Sequence, residues 1–156
     1  MPSKLEPMTT DFDFLVGRWT IRNRRLKSRL TGSDDWEEFD ATTVARSHFN
    51  GGISIDEHTF PTGRRGMSVR LYDVAAREWA IYWVDSRDGR LGPPVRGGFT
   101  DGAGEFYGDD EHDGTPVRVR FLWTDITDTS AHWEQAFSTD AGQTWETNWT
   151  MDLTRL

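Results

Sequence analysis

The sequence predicts an all-β protein, a single up-and-down antiparallel β-barrel of about ten strands with a short N-terminal helical turn and an internal cavity. Three observations predict this fold. Apolar and polar residues alternate with a period of two in segments spread along the 156 residues. Turn-forming residues separate nearly every pair of these segments. No stretch keeps a helical period for more than a few residues.

Ten alternating segments account for most of the chain, and turns rich in glycine separate many of them. Asn50-Gly51-Gly52 is typical of a tight hairpin because glycine tolerates a positive φ. Residues 109–116 are predicted to form a longer polar loop. Near the N-terminus, Asp11 is predicted to cap a helical turn over residues 11–16. The predicted strands cover residues 18–26, 36–49, 53–60, 67–73, 79–85, 95–100, 105–108, 117–123, 133–138 and 145–153.

A meander of about ten strands is expected to close on itself, since a strongly twisted sheet curls and closure removes the exposed edges. A barrel with that many strands encloses more space than its own inward side chains fill. Short connections join consecutive strands, and no composition shift marks a domain boundary. We therefore predict one domain over residues 1–156, with residues 1–10 flexible.

Composition excludes several classes of protein. The chain has no cysteine, so it forms neither disulfides nor thiolate metal sites. A formal charge of −8 argues against nucleic acid as a partner. The first residues do not resemble a signal peptide, and no apolar run approaches the ~20 residues that a membrane-spanning helix needs. These features predict a cytoplasmic protein with no membrane partner. The eight tryptophans indicate aromatic-lined cores, pockets or interfaces.

The opening of the chain resembles that of known barrels. Residues 14–19 read Phe-Leu-Val-Gly-Arg-Trp, a helical turn that enters the first strand through Gly17-x-Trp19. This resembles lipocalins and fatty-acid-binding proteins. The wider layout is similar to a group of uncharacterised bacterial lipocalin-like, calycin-type barrels known only as a domain of unknown function. The resemblance implies that Trp19 closes the barrel base and that Arg155 packs over it as a cation–π pair. It implies no activity.

A second motif lies in the last predicted hairpin. Residues 138–145 match the Asp-box of sialidases, Ser-x-Asp-x-Gly-x-Thr-Trp. We expect Asp140 to accept hydrogen bonds from turn amides, Gly142 to adopt a positive φ, and Trp145 to pack under the loop. A single copy in a chain too short for a propeller favours a structural clip over glycosidase chemistry.

The histidines do not predict a metal site. His48, His58, His112 and His132 lack the spacing typical of metal ligands. A lone histidine in a barrel wall could ligate haem, as in the similar nitrobindin barrels. Those proteins have a glycine-rich first strand, which is absent here. We predict no cofactor and keep haem as an alternative that a Soret band would reveal.

Strand pairing predicts which side chains meet in the lumen. A four-residue turn over residues 74–77 would place Tyr72 opposite Trp79 and Arg70 opposite Ile81. The same count at residues 140–143 would place Glu134 opposite Trp149. Such a lumen suits a flat ligand with a polar or anionic end, which Arg70 would clamp while the tryptophans stack on it. The predicted ligand-binding residues are Arg70, Tyr72, Trp79, Trp83, Glu134, Trp149 and His58.

Binding of a small amphipathic or aromatic molecule in the lumen is the leading functional hypothesis. An isomerase or cyclase using the same cavity is an alternative, with Glu134, Tyr82 and His58 as candidate acids or bases. Two further alternatives are a haem-binding barrel and a structural dimer that has no ligand. Residues 79–84 are apolar on both faces, so the face outside the barrel would be exposed unless covered. We therefore predict a possible homodimer through this part of the wall.

Overall fold

The computed structural model describes residues 8–156, and in it ten antiparallel strands close into one barrel. Each strand pairs with its neighbours in sequence, and the last strand pairs with the first. The predicted all-β up-and-down barrel is therefore confirmed. The strands are β1 (Gly17–Leu26), β2 (Trp36–His48), β3 (Ile53–Thr59), β4 (Arg65–Asp73), β5 (Glu78–Asp85), β6 (Val95–Thr100), β7 (Ala103–His112), β8 (Thr115–Thr124), β9 (Ser130–Ser138) and β10 (Glu146–Arg155).

One end of the barrel is closed by the segment before β1. A single turn of 3-10 helix, Asp13–Leu15, lies across this end, and a second such turn, Phe49–Gly51, links β2 to β3. Phe12 is buried and packs edge-on against Trp79, with ring centroids 4.8 Å apart. The prediction that Asp11 caps the helical turn is wrong. Its carboxylate instead accepts a hydrogen bond from the Trp79 indole at 2.9 Å. This bond ties the segment before β1, called the plug below, to the barrel wall.

Trp19 and Arg155 complete the closed end. Their Cα positions are paired across β1 and β10, and the Arg155 guanidinium lies 4.3 Å from the Trp19 ring centroid. The Trp19 indole donates to the carbonyl of Leu15 at 2.8 Å. Arg155 donates to the carbonyls of Phe14 and Val16 at 2.6 and 2.7 Å. A cation over the indole thus also satisfies backbone oxygens of the plug.

The opposite end is open, and the connections that surround it are mostly longer. They join β1 to β2, β3 to β4, β5 to β6, β7 to β8, and β9 to β10. The predicted loop at residues 109–116 is wrong, because β7 and β8 continue through it to a two-residue turn. Asp113 and Gly114 both have positive φ, of 48° and 80°, as a tight hairpin turn requires.

The two predicted registers have different outcomes. The pairing of Tyr72 with Trp79 is confirmed. The pairing of Glu134 with Trp149 is wrong: Gln135 lies opposite Trp149, and the register shifts at Asn148. A β-bulge adds one unpaired residue to a strand, and a one-residue shift moves each later side chain to the other face.

The turn before β10 has the hydrogen bonds typical of the Asp-box sequence. Asp140 accepts from the Ser138 hydroxyl at 2.7 Å and from the Thr144 amide and hydroxyl at 2.9 and 2.5 Å. Those bonds, led by the Thr144 hydroxyl, lower the pKa of Asp140 to about 2. Gly142 has a φ of 87°, and a side chain there would contact the Trp145 ring at 3.4 Å.

The flexibility predicted for residues 1–10 falls mostly on residues 1–7, which lie outside the described residues. Met8 donates its amide to the carbonyl of Asn50 at 2.9 Å, at the closed end of the barrel. Within residues 8–156, no helix has the length and apolar character needed to cross a membrane. The cytoplasmic location stays a prediction.

Candidate functional site

A cavity of about 800 Å³ occupies the barrel and opens between the longer loops. Its walls combine apolar and aromatic side chains with a row of buried polar groups on β3 and β4. This combination is typical of small-molecule sites, in which apolar walls supply contact area and a few polar groups set orientation. The apolar lining comprises Leu26, Ile81, Trp83, Pro93, Pro94, Val95, Val119, Phe121, Trp123, Trp133, Phe137, Trp149, Met151 and Leu153.

The centre of the polar row is a buried ion pair. Asp56 and Arg70 are 2% and 3% exposed, and Arg70 Nη2 lies 2.5 Å from Asp56 Oδ2. The other carboxylate oxygen accepts from the Ser68 amide and pairs with His58 Nε2, both at 3.0 Å. Burial alone would raise the pKa of Asp56, but Arg70 and then His58 outweigh it and hold that pKa well below its usual range. Asp56 is thus an anion inside the barrel.

Arg70 is held on several sides. It donates to Ser54 Oγ at 3.2 Å, and its guanidinium lies 5.0 Å from the Phe12 ring and 5.8 Å from the Trp123 ring. Its Nε is buried and has no hydrogen-bond partner among the described residues. Because Asp56 already neutralises Arg70, the pair presents a dipole to the cavity and leaves little net positive charge to clamp an anion.

His58 lies between this ion pair and the aromatic walls. Its ring stacks at 6.1 Å on Phe60 and lies 5.6 Å from Trp83. Nε2 is engaged by Asp56, whereas Nδ1 is buried without a partner among the described residues. A neutral imidazole that donates from Nε2 carries its lone pair on Nδ1. His58 therefore has one nitrogen oriented by a carboxylate and one buried nitrogen without a hydrogen-bond partner among the described residues.

Three of the four tryptophans that line the cavity pack against one another. The Trp149 ring is edge-on to Trp83 at 6.1 Å and to Trp133 at 5.7 Å. The Trp149 indole donates to the buried Asn23 carbonyl oxygen at 3.0 Å, which fixes the ring plane. This edge-to-face arrangement is the one that aromatic pairs favour, and it holds flat faces around the cavity.

Arginines gather on one side of the open end. Arg25 pairs with Glu37 at 2.8 Å. Arg64 and Arg87 both pair with Asp85. Burial alone would raise the pKa of Asp85, but the hydrogen bonds from Arg64 and from the Arg87 amide outweigh it and lower that pKa. Another part of the rim, the acidic lip, is formed by residues 109–113, which the hairpin of β7 and β8 brings to the cavity. The rim of the opening therefore carries both positive and negative charges.

The structure brings four of the seven predicted ligand-binding residues to the cavity: His58, Arg70, Trp83 and Trp149. Trp79 is fully buried beneath Phe12 at the closed end, and Tyr72 packs on it with ring centroids 5.3 Å apart. Neither of these two residues lines the cavity.

Glu134 does not lie where the sequence analysis predicted it. Its neighbours Trp133 and Gln135 line the cavity, so the alternation of β9 directs Glu134 outward, where it pairs with His132 at 3.0 Å. The assumed register ignored the bulge at Asn148, which is why Glu134 was expected inside. Tyr82 likewise lies between two lumenal residues, Ile81 and Trp83, and faces outward.

Sequence reasoning missed Asp56 and the arginines of the open end. The signal for Asp56 was present in β3, where Ser54, Asp56 and His58 occupy alternate positions and share one face. The apolar face of such a strand is usually turned inward, but here the polar face lines the lumen. Pairing Asp56 with Ser68, two residues before Arg70, would have revealed the ion pair.

No group of three or more histidine, aspartate or glutamate side chains within residues 8–156 is placed to hold a metal ion. No protein-family model matches the chain. No curated protein matches it significantly. The architecture, a closed ten-stranded antiparallel barrel, is consistent with a calycin-like fold.

Proposed function

We propose that the protein binds a small amphipathic or aromatic molecule in the barrel lumen. The observation that carries this proposal is a cavity of about 800 Å³ with tryptophan walls and a buried polar row. That volume lies in the range of about 300–1,000 Å³ found for sites that enclose a drug-sized ligand. The relation to bacterial lipocalin-like proteins of unknown function is part of the same proposal.

The chemistry of the walls narrows the ligand class. Trp83, Trp133 and Trp149 offer faces and edges to a flat or hydrocarbon body. Gln135 lines the same cavity, and its amide donates to the Asn148 oxygen at 2.8 Å. The unsatisfied Nδ1 of His58 favours a ligand with a hydroxyl or another polar group that can hydrogen-bond to it. We thus expect a molecule with an apolar body and a small number of polar groups.

The proposal is tested with N-phenyl-1-naphthylamine, an uncharged dye that fluoresces in apolar surroundings. We expect saturable binding to one site, with quenching of tryptophan emission. Trp83→Leu is expected to weaken Kd about threefold to tenfold, because it removes an aromatic wall. Trp36→Leu is the matched control, since Trp36 does not line the cavity and stacks under Arg24 at 4.2 Å.

Native mass spectrometry of freshly purified protein gives an independent measurement. A co-purified mass that dissociates on unfolding supports the proposal. If the wild-type protein neither binds the dye nor carries a molecule, the binding proposal fails. It fails as well if Trp36→Leu weakens dye binding as much as Trp83→Leu does, because the dye would then not be reporting on the lumen.

The pair of Asp56 and His58 favours one second candidate, an enzyme of the isomerase or cyclase type that uses the same cavity. A carboxylate that orients one imidazole nitrogen leaves the other as a base, and Asp56 is 3.0 Å from His58 Nε2. Base-catalysed ring opening of 5-nitrobenzisoxazole is a suitable probe of proton abstraction. The candidate predicts a rate above that of free imidazole, lost in His58→Gln; equal rates for wild type and variant exclude it.

A homodimer through residues 79–84 remains a separate hypothesis. The outward residues of β5 include Tyr82 and Val84, which are half-buried in the isolated chain, and the adjacent Leu71 is exposed. Light scattering at micromolar concentration tests it directly. A monodisperse monomer would refute the dimer and leave the lumenal proposal unaffected.

A further inference from the structure

Three arginines stand over aromatic rings at the open end of the cavity. Arg25, Arg29 and Arg64 all line the cavity. An arginine that already packs on an aromatic ring loses little further conformational entropy when it binds an anion. The N–H groups at the edge of its guanidinium remain available to donate hydrogen bonds. The ring centroids lie 4.9 Å (Phe39) and 5.1 Å (Trp149) from Arg25, 5.4 Å (Phe137) from Arg29 and 5.3 Å (Phe60) from Arg64.

The ion pairs on this side of the opening do not engage every arginine. Four guanidiniums lie there, but the carboxylates paired with them are two, Glu37 and Asp85. The surplus is at Arg29, which is half-buried and meets no carboxylate within ion-pair distance in the described part of the chain. Glu146 is the nearby acid, and one of its oxygens accepts the Leu30 amide at 2.8 Å. Charged groups that are withdrawn from water are ordinarily paired, but Arg29 has no ion-pair partner among the described residues.

The electrostatic environment of Arg29 agrees with this. Burial, and next the like charge of Arg25, lower the pKa of Arg29 to about 10. The group is still a cation at neutral pH, held in a position that costs free energy. An anion placed between these arginines would relieve that repulsion.

We propose that the open end of the barrel is an anion subsite, in which Arg29 binds the terminal oxyanion of an amphipathic ligand, flanked by Arg25 and Arg64, which also pair with Glu37 and Asp85. This rests on the proposed lumenal binding and names its ligand class: an apolar or aromatic body with a carboxylate, sulfonate or phosphate at one end. Arg70 is not the clamp, because Asp56 already neutralises it. The acidic lip at residues 109–113 repels the oxyanion and so directs it to the arginine side.

The test uses two dyes that differ by one group: 8-anilino-1-naphthalenesulfonate and the uncharged N-phenyl-1-naphthylamine. Arg29→Gln is the variant, since removing an arginine that has no partner leaves no buried carboxylate behind. We expect it to weaken the Kd of the sulfonate about tenfold, the effect of one charge-assisted hydrogen bond. The uncharged dye should change less than about twofold under the same principle. Arg96→Gln, an exposed change of equal charge away from the cavity, should alter neither.

The outcomes separate the two proposals. If the uncharged dye binds but the sulfonate binds no more tightly, or if Arg29→Gln affects both dyes equally, the anion subsite is refuted while the lumenal site stands. If neither dye binds the wild type, lumenal binding itself fails. Raising the salt concentration is a second measurement that needs no variant: it should weaken binding of the sulfonate and leave that of the uncharged dye unchanged. Salt-independent binding of the sulfonate would also refute the subsite.

Discussion

Replacing Asp56 by asparagine tests whether the buried ion pair holds the wall of the cavity. The substitution keeps the size of the side chain and removes its charge, so Arg70 is left as an uncompensated cation at 3% exposure. Breaking a buried pair in this way costs about 3–5 kcal/mol. For a chain of this length, that corresponds to a fall in Tm of about 6–20 °C. Urea denaturation followed by tryptophan fluorescence measures the change in free energy of unfolding.

The loss should depend on pH in a defined direction. The pKa of Asp56 is depressed in the folded state by Arg70 and His58, against an unfolded value of about 3.9. A depressed carboxyl pKa stabilises the fold above the unfolded-state pKa, and this stabilisation is lost as the pH falls through the folded-state pKa. The difference between wild type and Asp56→Asn should therefore narrow as the pH falls below about 4.

Two comparisons decide the result. Asp40→Asn removes the same charge from an exposed pair with Arg22, 3.2 Å apart, and should cost no more than about 1 kcal/mol. Asp56→Leu combined with Arg70→Met should recover most of the stability, because an apolar pair replaces both charges. The reasoning is refuted if Asp56→Asn costs no more than Asp40→Asn, or if the difference does not narrow in acid.

Three further predictions concern other parts of the barrel. Gly66→Ala would bring a Cβ within 2.1 Å of the Trp83 ring, so we expect a loss of about 1–3 kcal/mol and an altered near-UV circular dichroism spectrum; unchanged values contradict the contact. Arg155→Gln removes the cation that holds the plug, and should lower the free energy of unfolding by about 2 kcal/mol in urea denaturation. Thr144→Val removes the leading hydrogen bond to Asp140, so its pKa, read by NMR titration, should rise from about 2; an unchanged pKa excludes that cause.

The fold could be predicted because its signals are local. Period-two alternation and turn residues place ten strands, and closure follows from their number. Asp113-Gly114 is the exception: the acidic run around it was interpreted as a solvated loop, although Asp-Gly is a strong hairpin signal. Favouring charge over turn chemistry shortened β7 and β8 in the prediction, so that the acidic residues were placed in the loop of the hairpin and not on its strands.

The site could be predicted only where the register was right. A regular turn brought Arg70 and Trp83 to the lumen, as the pairing count expected. Glu134 was misplaced because a bulge cannot be counted from turn length alone. The signal for Asp56 lay in the alternation of β3 and was missed, whereas Arg29 depends on contacts between distant strands and loops, which no local pattern encodes. The row of buried polar groups on β3 and β4 also departs from the usual rule that apolar faces turn inward. Such departures are expected at functional cavities.

The hairpin that carries the acidic lip is paired only with itself near its tip. The last partner of β8 in β9 is Ser138, opposite Arg118, and the last partner of β7 in β6 is Arg96, opposite Tyr107. Bending the tip therefore breaks none of the hydrogen bonds that close the ring of strands. Amide hydrogens near the tip should exchange faster than those at the base, because local stability follows the number of bonded neighbours. Deflection of this one hairpin would thus widen the opening of the cavity without breaking the backbone hydrogen bonds of the barrel wall.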